Sequence, residues 1–139
     1  GINADTYGPR FNDMSDGYHK KYRDQLIKTA HKIDQKVYEG IYCMYSGPNF
    51  ETPAEINALK VIGGNAVGMS TIPEVLVANH CGLPVIAISV ITNLAAGMNK
   101  TKLSHQETLE NAALAENNII NLIKNYIHDV KLDDSSGNN

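Results

Sequence analysis

From Ser15 onward apolar residues recur at spacings of three and four. Tyr18, Tyr22, Leu26, Ala30 and Ile33 predict an amphipathic helix capped by Ser15 or Asp16. His19 and His31 fall on its polar side, where solvation is the ordinary outcome. Residues 37–45 are rich in Val, Ile and Tyr and predict a strand, with the facing of Tyr42 and Tyr45 left open by a possible bulge. Gly47-Pro48 stops that run. Thr52, Pro53 and Glu55 then open a helix: Thr52 caps the Glu55 amide, Glu55 returns the bond, and Pro53 takes the first helical position. Ala54, Ala58, Leu59 and Ile62 are its packing residues, and Gly63-Gly64 ends it. A short strand over 66–69 leads to a second capping pattern, Thr71 with Glu74, and a helix reaching Cys81-Gly82. Residues 85–91 are the most apolar strand, continuous enough to predict helices over both of its faces. Ser104 with Glu107 caps a last helix whose expected buried stripe is Leu109, Ala112, Ala113, Ile119, Ile120, Ile123, Tyr126 and Ile127.

Helices alternating with strands predict an α/β fold, a mixed, largely parallel sheet flanked by helices on both faces. Residues 1–131 form one α/β unit in this reading, and 132–139 a frayed polar tail. Ligands of such sheets gather at the carboxyl ends of the strands. Phe50 and Glu51 arrive there from the first strand, Met69, Ser70 and Thr71 from the second, Thr92 and Asn93 from the third.

Composition narrows the class. The 139 residues are 42% hydrophobic and 19% charged, enough for one domain with a core. No apolar run is long enough for a membrane helix, and no signal peptide is evident. A net charge of −3 without a basic cluster gives no electrostatic footprint for nucleic acid. Cys43 and Cys81 match no metal spacing and suit reduced, buried thiols in a cytoplasmic protein. Opening on Gly1, with residues 2–5 as a loop, the chain reads as a piece of something longer. The loop over 3–12 carries Arg10 and Phe11, the latter a candidate for docking on its own domain or on a neighbour.

At the strand ends, side-chain chemistry suggests a ligand. Phe50 sets a flat apolar ring beside the Glu51 carboxylate, which accepts two N–H bonds, while Asn93 both donates and accepts. Together they suit the edge of a purine base. Met69 offers a soft surface to a ring or sugar. Ser70, beside a helix N-terminus, suits phosphate. His105 is within reach of a ligand hydroxyl. Each residue alone also fits an ordinary structural role, as a core methionine, a capping serine or a first-turn histidine.

Three segments carry a resemblance: Gly47-Pro48-Asn49-Phe50-Glu51-Thr52, Asn65-Ala66-Val67-Gly68-Met69-Ser70-Thr71-Ile72-Pro73-Glu74-Val75 and Ile91-Thr92-Asn93. They closely resemble the trimeric, low-molecular-mass purine nucleoside phosphorylases, over residues 8–126, and the chain is similar to their C-terminal half. The resemblance implies phosphate-dependent cleavage of the N-glycosidic bond of inosine, guanosine and their deoxy forms, giving free base and (deoxy)ribose 1-phosphate in purine salvage. It implies that Glu51 and Asn93 hold the purine, that Phe50 lies against it, and that Tyr42 and Met69 line the pocket. Ser70 helps hold phosphate, His105 meets the sugar 5′-hydroxyl, and Phe11 reaches the active site of a neighbouring subunit in a homotrimer. Asn93, Glu51 and His105 are the implied catalytic residues. Phosphate is a co-substrate, and no cofactor, metal, nucleic acid or membrane partner is implied. As the bond to the base loosens, positive charge grows on the ribosyl ring and negative charge on the purine, so a site that stabilises both lowers the barrier.

Two departures from the family qualify the reading. Leu94-Ala95-Ala96-Gly97 lacks the lysine of the mammalian segment and looks like the bacterial branch. The family's phosphate loop, with its Arg and His ligands, belongs to an N-terminal half not found in this sequence. The isolated chain is therefore expected to be inactive. Two alternatives remain: a methylthioadenosine phosphorylase, whose relatives carry an acid at the Asn93 position, and a truncated, non-catalytic purine-binding or subunit-interaction protein.

Overall fold

Tyr22, Leu26 and Ala30 are buried along one face of α1, Lys20–Lys32, as their spacing requires, and Thr29 joins them. In this computed structural model, which describes residues 4–98 and 103–131, the helix begins later than the sequence suggests. Ser15 bonds to Asp13 instead, through its amide at 2.8 Å and its hydroxyl at 2.6 Å. Asp16 accepts the Lys20 amide at 3.1 Å, satisfying a first-turn donor from outside the helix. The N-cap is His19, and it is not solvated as expected. Its amide donates to the Val85 carbonyl at 2.8 Å, and its ring stacks on Tyr22 at 4.3 Å. The turn through Gly17 folds His19 inward. His31 is exposed.

β1, Tyr42–Met44, and β2, Ala66–Gly68, form a parallel pair with Tyr42 opposite Ala66 and Met44 opposite Gly68. The helix between them, α2 over Pro53–Val61, makes this a βαβ unit. Its capping box is complete, and Gly63 leaves it at φ +95°. β1 is shorter than the predicted strand because β2 offers it only three partners. At its entry the Asn65 side chain accepts the Ile41 amide at 2.9 Å, while the Asn65 amide donates to the Ile41 carbonyl at 2.8 Å.

α3, Ile72–His80, lacks the predicted capping box. Thr71 stands at φ +77° and ψ −52°, and the Ile72 amide bonds back to the Ser70 carbonyl at 2.9 Å. This is a γ-turn of the rare, strained hand, and the Thr71 hydroxyl pairs with that of Ser70 at 3.2 Å rather than capping the helix. Cys81 follows as the C-cap and is exposed, against the expected burial; Cys43 is half-buried, and both thiols are free.

The third predicted strand does not form among the described residues. The sheet is two-stranded, and residues 85–91 carry no ladder bond to β1 or β2. An apolar run becomes a strand only where another backbone lies alongside to take its N–H and C=O groups.

α4, His105–Asp129, starts as predicted, with the Ser104 hydroxyl accepting the Glu107 amide at 3.1 Å. Leu122, Leu26 and Ala30 form a core between α4 and α1, with Ile33, Val37, Ile86 and Tyr126 packed around it. The buried stripe is therefore corrected: Ala112, Ala115, Ile119, Leu122 and Tyr126 face inward, whereas Leu109, Ala113, Ile120, Ile123 and Ile127 are exposed. Isoleucines lie on more than one side of this helix, so its pattern alone does not select a face. Lys32 with Asp129 at 2.7 Å ties the C-terminal ends of the two helices, and the middle of α1 is held by Gln25 to the Lys131 backbone at 3.0 and 3.3 Å. The polar tail expected over 132–139 lies outside the described residues. Among those residues no helix is long and apolar enough to cross a membrane.

Candidate functional site

A cleft of about 520 Å³ opens at the carboxyl ends of β1 and β2. Parallel strands bring successive loops to one edge, and the segment over 88–95 forms the opposite wall. Tyr42, Phe50, Glu51, Met69, Ser70 and Asn93, separated by up to fifty-one positions, all line it. Phe11 and His105 do not. Phe11 stands in the 4–12 loop, 85% exposed, with the Arg10 guanidinium 5.4 Å from its ring centroid. His105 is the exposed first residue of α4, next to the cleft-lining Leu103 and Thr108.

Glu51 is 7% exposed, and among the described residues nothing donates a hydrogen bond to its carboxylate. A buried acid facing a cleft with free acceptor capacity is suited to a ligand's N–H groups. At the opposite wall the Thr92 hydroxyl donates to Asn93 Oδ1 at 3.1 Å, and in that orientation the amide presents Nδ2 as its donor end. Carboxylate and amide thus present acceptor and donor to one space.

Two glycines allow this wall to close. Gly68 lies against Tyr42, whose hydroxyl would overlap any Cβ placed there. Gly47, at φ +67°, lets Met69 approach so closely that a Cβ would meet its sulfur at 2.5 Å. The strained turn at Thr71 sets Ser70 and Thr71 on the cleft edge ahead of α3. Lys60 also lines the cleft, but both arginines of the chain lie elsewhere. Arg23 is held by the Tyr18 carbonyl at 3.0 Å and by Glu39 at 2.8 Å.

Supporting contacts went unread in the sequence. Asn111 of α4 donates to the Thr92 carbonyl at 2.6 Å. Asn12 donates to His80 Nδ1 at 2.9 Å, and His80 Nε2 donates to the Tyr7 carbonyl at 2.7 Å, so one imidazole anchors the 4–12 loop on both sides of Arg10 and Phe11. Tyr45 donates a short hydrogen bond to Glu55. The polar Asn111 on the inward face of the amphipathic α4 was the one sequence signal for any of these. Among the described residues no group of three or more His, Cys, Asp or Glu is arranged to hold a metal.

Known proteins resemble this chain in sequence and fold. A purine nucleoside phosphorylase 1 of Geobacillus stearothermophilus is 42% identical over 130 residues, covering 94% of this chain and 47% of its own length. A purine nucleoside phosphorylase of Saccharomyces cerevisiae is 44% identical over 138 residues, covering 88% and 44%. The crystal structure of Schistosoma mansoni purine nucleoside phosphorylase in complex with inosine superposes with a TM-score of 0.88 at 34% identity, over 96% of this chain and 48% of that one. The chain spans about half the length of the curated relatives it matches. The family model of the phosphorylase superfamily matches residues 1–128, and the chain belongs to that superfamily.

Proposed function

We propose that this chain is the C-terminal half of a purine nucleoside phosphorylase, a pentosyltransferase of purine salvage that works as a cytoplasmic homotrimer. It cleaves the N-glycosidic bond of inosine, guanosine and their deoxy forms with phosphate. The complete fold is then a mixed, largely parallel sheet flanked by helices, in which residues 85–91 find strand partners from the other half. The reading rests chiefly on one observation: the buried Glu51 carboxylate and the Asn93 amide face the same cleft.

Glu51 accepts from the purine N–H groups, and Asn93 Nδ2 donates to the base as negative charge develops on it. Phe50 lies along the ring, Tyr42 and Met69 line the pocket, and Ser70 takes part of the phosphate. His105 meets the sugar 5′-hydroxyl from the start of α4, and Phe11 completes a neighbouring subunit's site. A phosphate dianion commonly needs Arg or Lys opposite it. With Arg10 and Arg23 outside the cleft, Lys60 is the one basic side chain among the described residues that line it, and the remaining phosphate ligands come from the other half. The test is hypoxanthine release from inosine by the chain with and without that half, at matched concentration. Phosphate-dependent turnover only with both halves is the expected result. Comparable turnover by the chain alone would show that its phosphate site is complete.

A further inference from the structure

Residues 46–51 form the loop that delivers Phe50 and Glu51 to the cleft, and both of its ends meet at one carboxylate. On the near side the Tyr45 amide donates to the Gly68 carbonyl at 2.9 Å, which fixes Tyr45 to β2 one residue beyond the ladder. Its hydroxyl donates to Glu55 Oε1. On the far side Glu55 Oε2 accepts the Thr52 amide at 2.7 Å and the Thr52 hydroxyl at 2.9 Å.

A capping box accounts for the bonds to Thr52, because it satisfies the first amides of α2. It does not account for the other oxygen of Glu55, which is used on a residue eight positions before the start of the helix. We propose that Tyr45 and Glu55 are positioning residues that close this loop and so hold Phe50 and Glu51 against the purine. The proposal rests on the base-binding reading above.

Joining the ends of a loop reduces the conformations open to the residues between them. Hydrogen bonds to an ionised acceptor are roughly twice as strong as neutral ones. The Tyr45 hydroxyl and then the Thr52 amide and hydroxyl hold the Glu55 carboxyl below its ordinary range, and the same bond pushes the Tyr45 phenol up. The acceptor is therefore charged and the donor protonated at neutral pH. Neither residue lines the cleft, so their effect reaches the ligand only through the loop.

The experiment uses the complete enzyme with Tyr45→Phe, Thr52→Val, Thr52→Ser and, as a control on the base site, Glu51→Ala. Inosine is varied at saturating phosphate and phosphate at saturating inosine, and melting temperatures are recorded. Tyr45→Phe is expected to raise KM for inosine about three- to tenfold, with KM for phosphate changed less than about twofold. Thr52→Val should share that split, and Thr52→Ser should restore KM for inosine. A lowered melting temperature with KM for inosine unchanged, or an equal rise in both KM values, overturns the clamp. If Glu51→Ala raises KM for inosine and Tyr45→Phe does not, the clamp alone is wrong. If Glu51→Ala leaves it unchanged, the base-binding reading falls and the clamp with it.

Discussion

Asn111, in the second turn of α4, donates its side-chain hydrogen to the Thr92 carbonyl at 2.6 Å. Thr92 in turn donates its hydroxyl to Asn93 at 3.1 Å. The longest helix of the chain therefore holds the loop that presents Asn93, although Asn111 does not line the cleft. Asn111→Ala should cost about 0.5–1.5 kcal/mol of stability. Asn111→Asp should cost more at neutral pH, because an ionised carboxylate would face a carbonyl that can only accept. Thermal denaturation of the two variants tests this order, and the opposite order would remove the bond from the account.

Leu122 is fully buried between α1 and α4, against Leu26 and Ala30. Leu122→Ala should destabilise by about 2–5 kcal/mol, the range for emptying a leucine site in a core that cannot collapse around it. Ile127→Ala, on the exposed side of the same helix, should cost far less. Chemical denaturation of both variants would separate the observed stripe from the one the sequence suggested.

Helix ends were legible in part: the caps expected at Ser15 or Asp16 and at Thr71 gave way to His19 and to a γ-turn from Ser70, local bonds that compete with capping. Thr52 with Glu55, Ser104 with Glu107, and Gly63 each act within a few residues and stand where the pattern placed them. The convergence of Glu51, Met69 and Asn93 on one cleft was legible too, although Asn93 arrives there from residues 85–91, which form no strand among the described residues. The other failures depended on neighbours distant in sequence. Residues 85–91 are apolar enough for a strand, but pairing depends on which backbone lies beside them. His19 reads as polar until the turn at Gly17 folds it against Val85. The Tyr45 bond to Glu55 and the Asn111 bond to Thr92 require knowing which elements meet, which periodicity does not supply.

Thr71 holds φ +77° with a β-branched side chain, a conformation costing of order 1–3 kcal/mol. Thr71→Gly should relieve most of that strain and raise the melting temperature, while removing the hydroxyl that pairs with Ser70. KM for phosphate in the complete enzyme should then rise although stability improves. Thr71→Ala keeps the Cβ and should gain less stability than Thr71→Gly. A Thr71→Gly variant no more stable than the wild type would show that the backbone there is unstrained.

Asp129 joins α4 to α1 through Lys32, and hydrogen bonds from Lys32 and then His128 hold its carboxyl below the ordinary range. A depressed carboxyl stabilises the fold above its unfolded pKa, about 4, and loses that contribution as pH falls through the lower folded value. Asp129→Asn should therefore melt below the wild type at pH 7, and the gap should close on acidification below about pH 4. It should also narrow in high salt, because the pair is exposed. A gap independent of pH from 7 to 3 would exclude the ion pair as its source.

The Thr92 hydroxyl pairs with the oxygen end of the Asn93 amide, and on the purine-binding reading proposed above that pairing bears on substrate choice. With Oδ1 accepting from the Thr92 hydroxyl, Nδ2 is the end free to donate, which suits the carbonyl oxygen of a 6-oxo purine. Asn93→Asp keeps an oxygen for Thr92 and replaces the donor with a second acceptor. That acceptor repels a carbonyl oxygen and attracts an exocyclic amine, so it supplies both the attraction and the repulsion that a specificity change needs. In the complete enzyme the ratio of kcat/KM for inosine to that for adenosine should fall at least about tenfold, a change of about 1.4 kcal/mol between the two transition states. Thr92→Val should weaken discrimination without reversing it, because the amide would then be free to turn. An unchanged ratio in Asn93→Asp would remove Asn93 from base recognition and leave Glu51 as the polar contact to the purine.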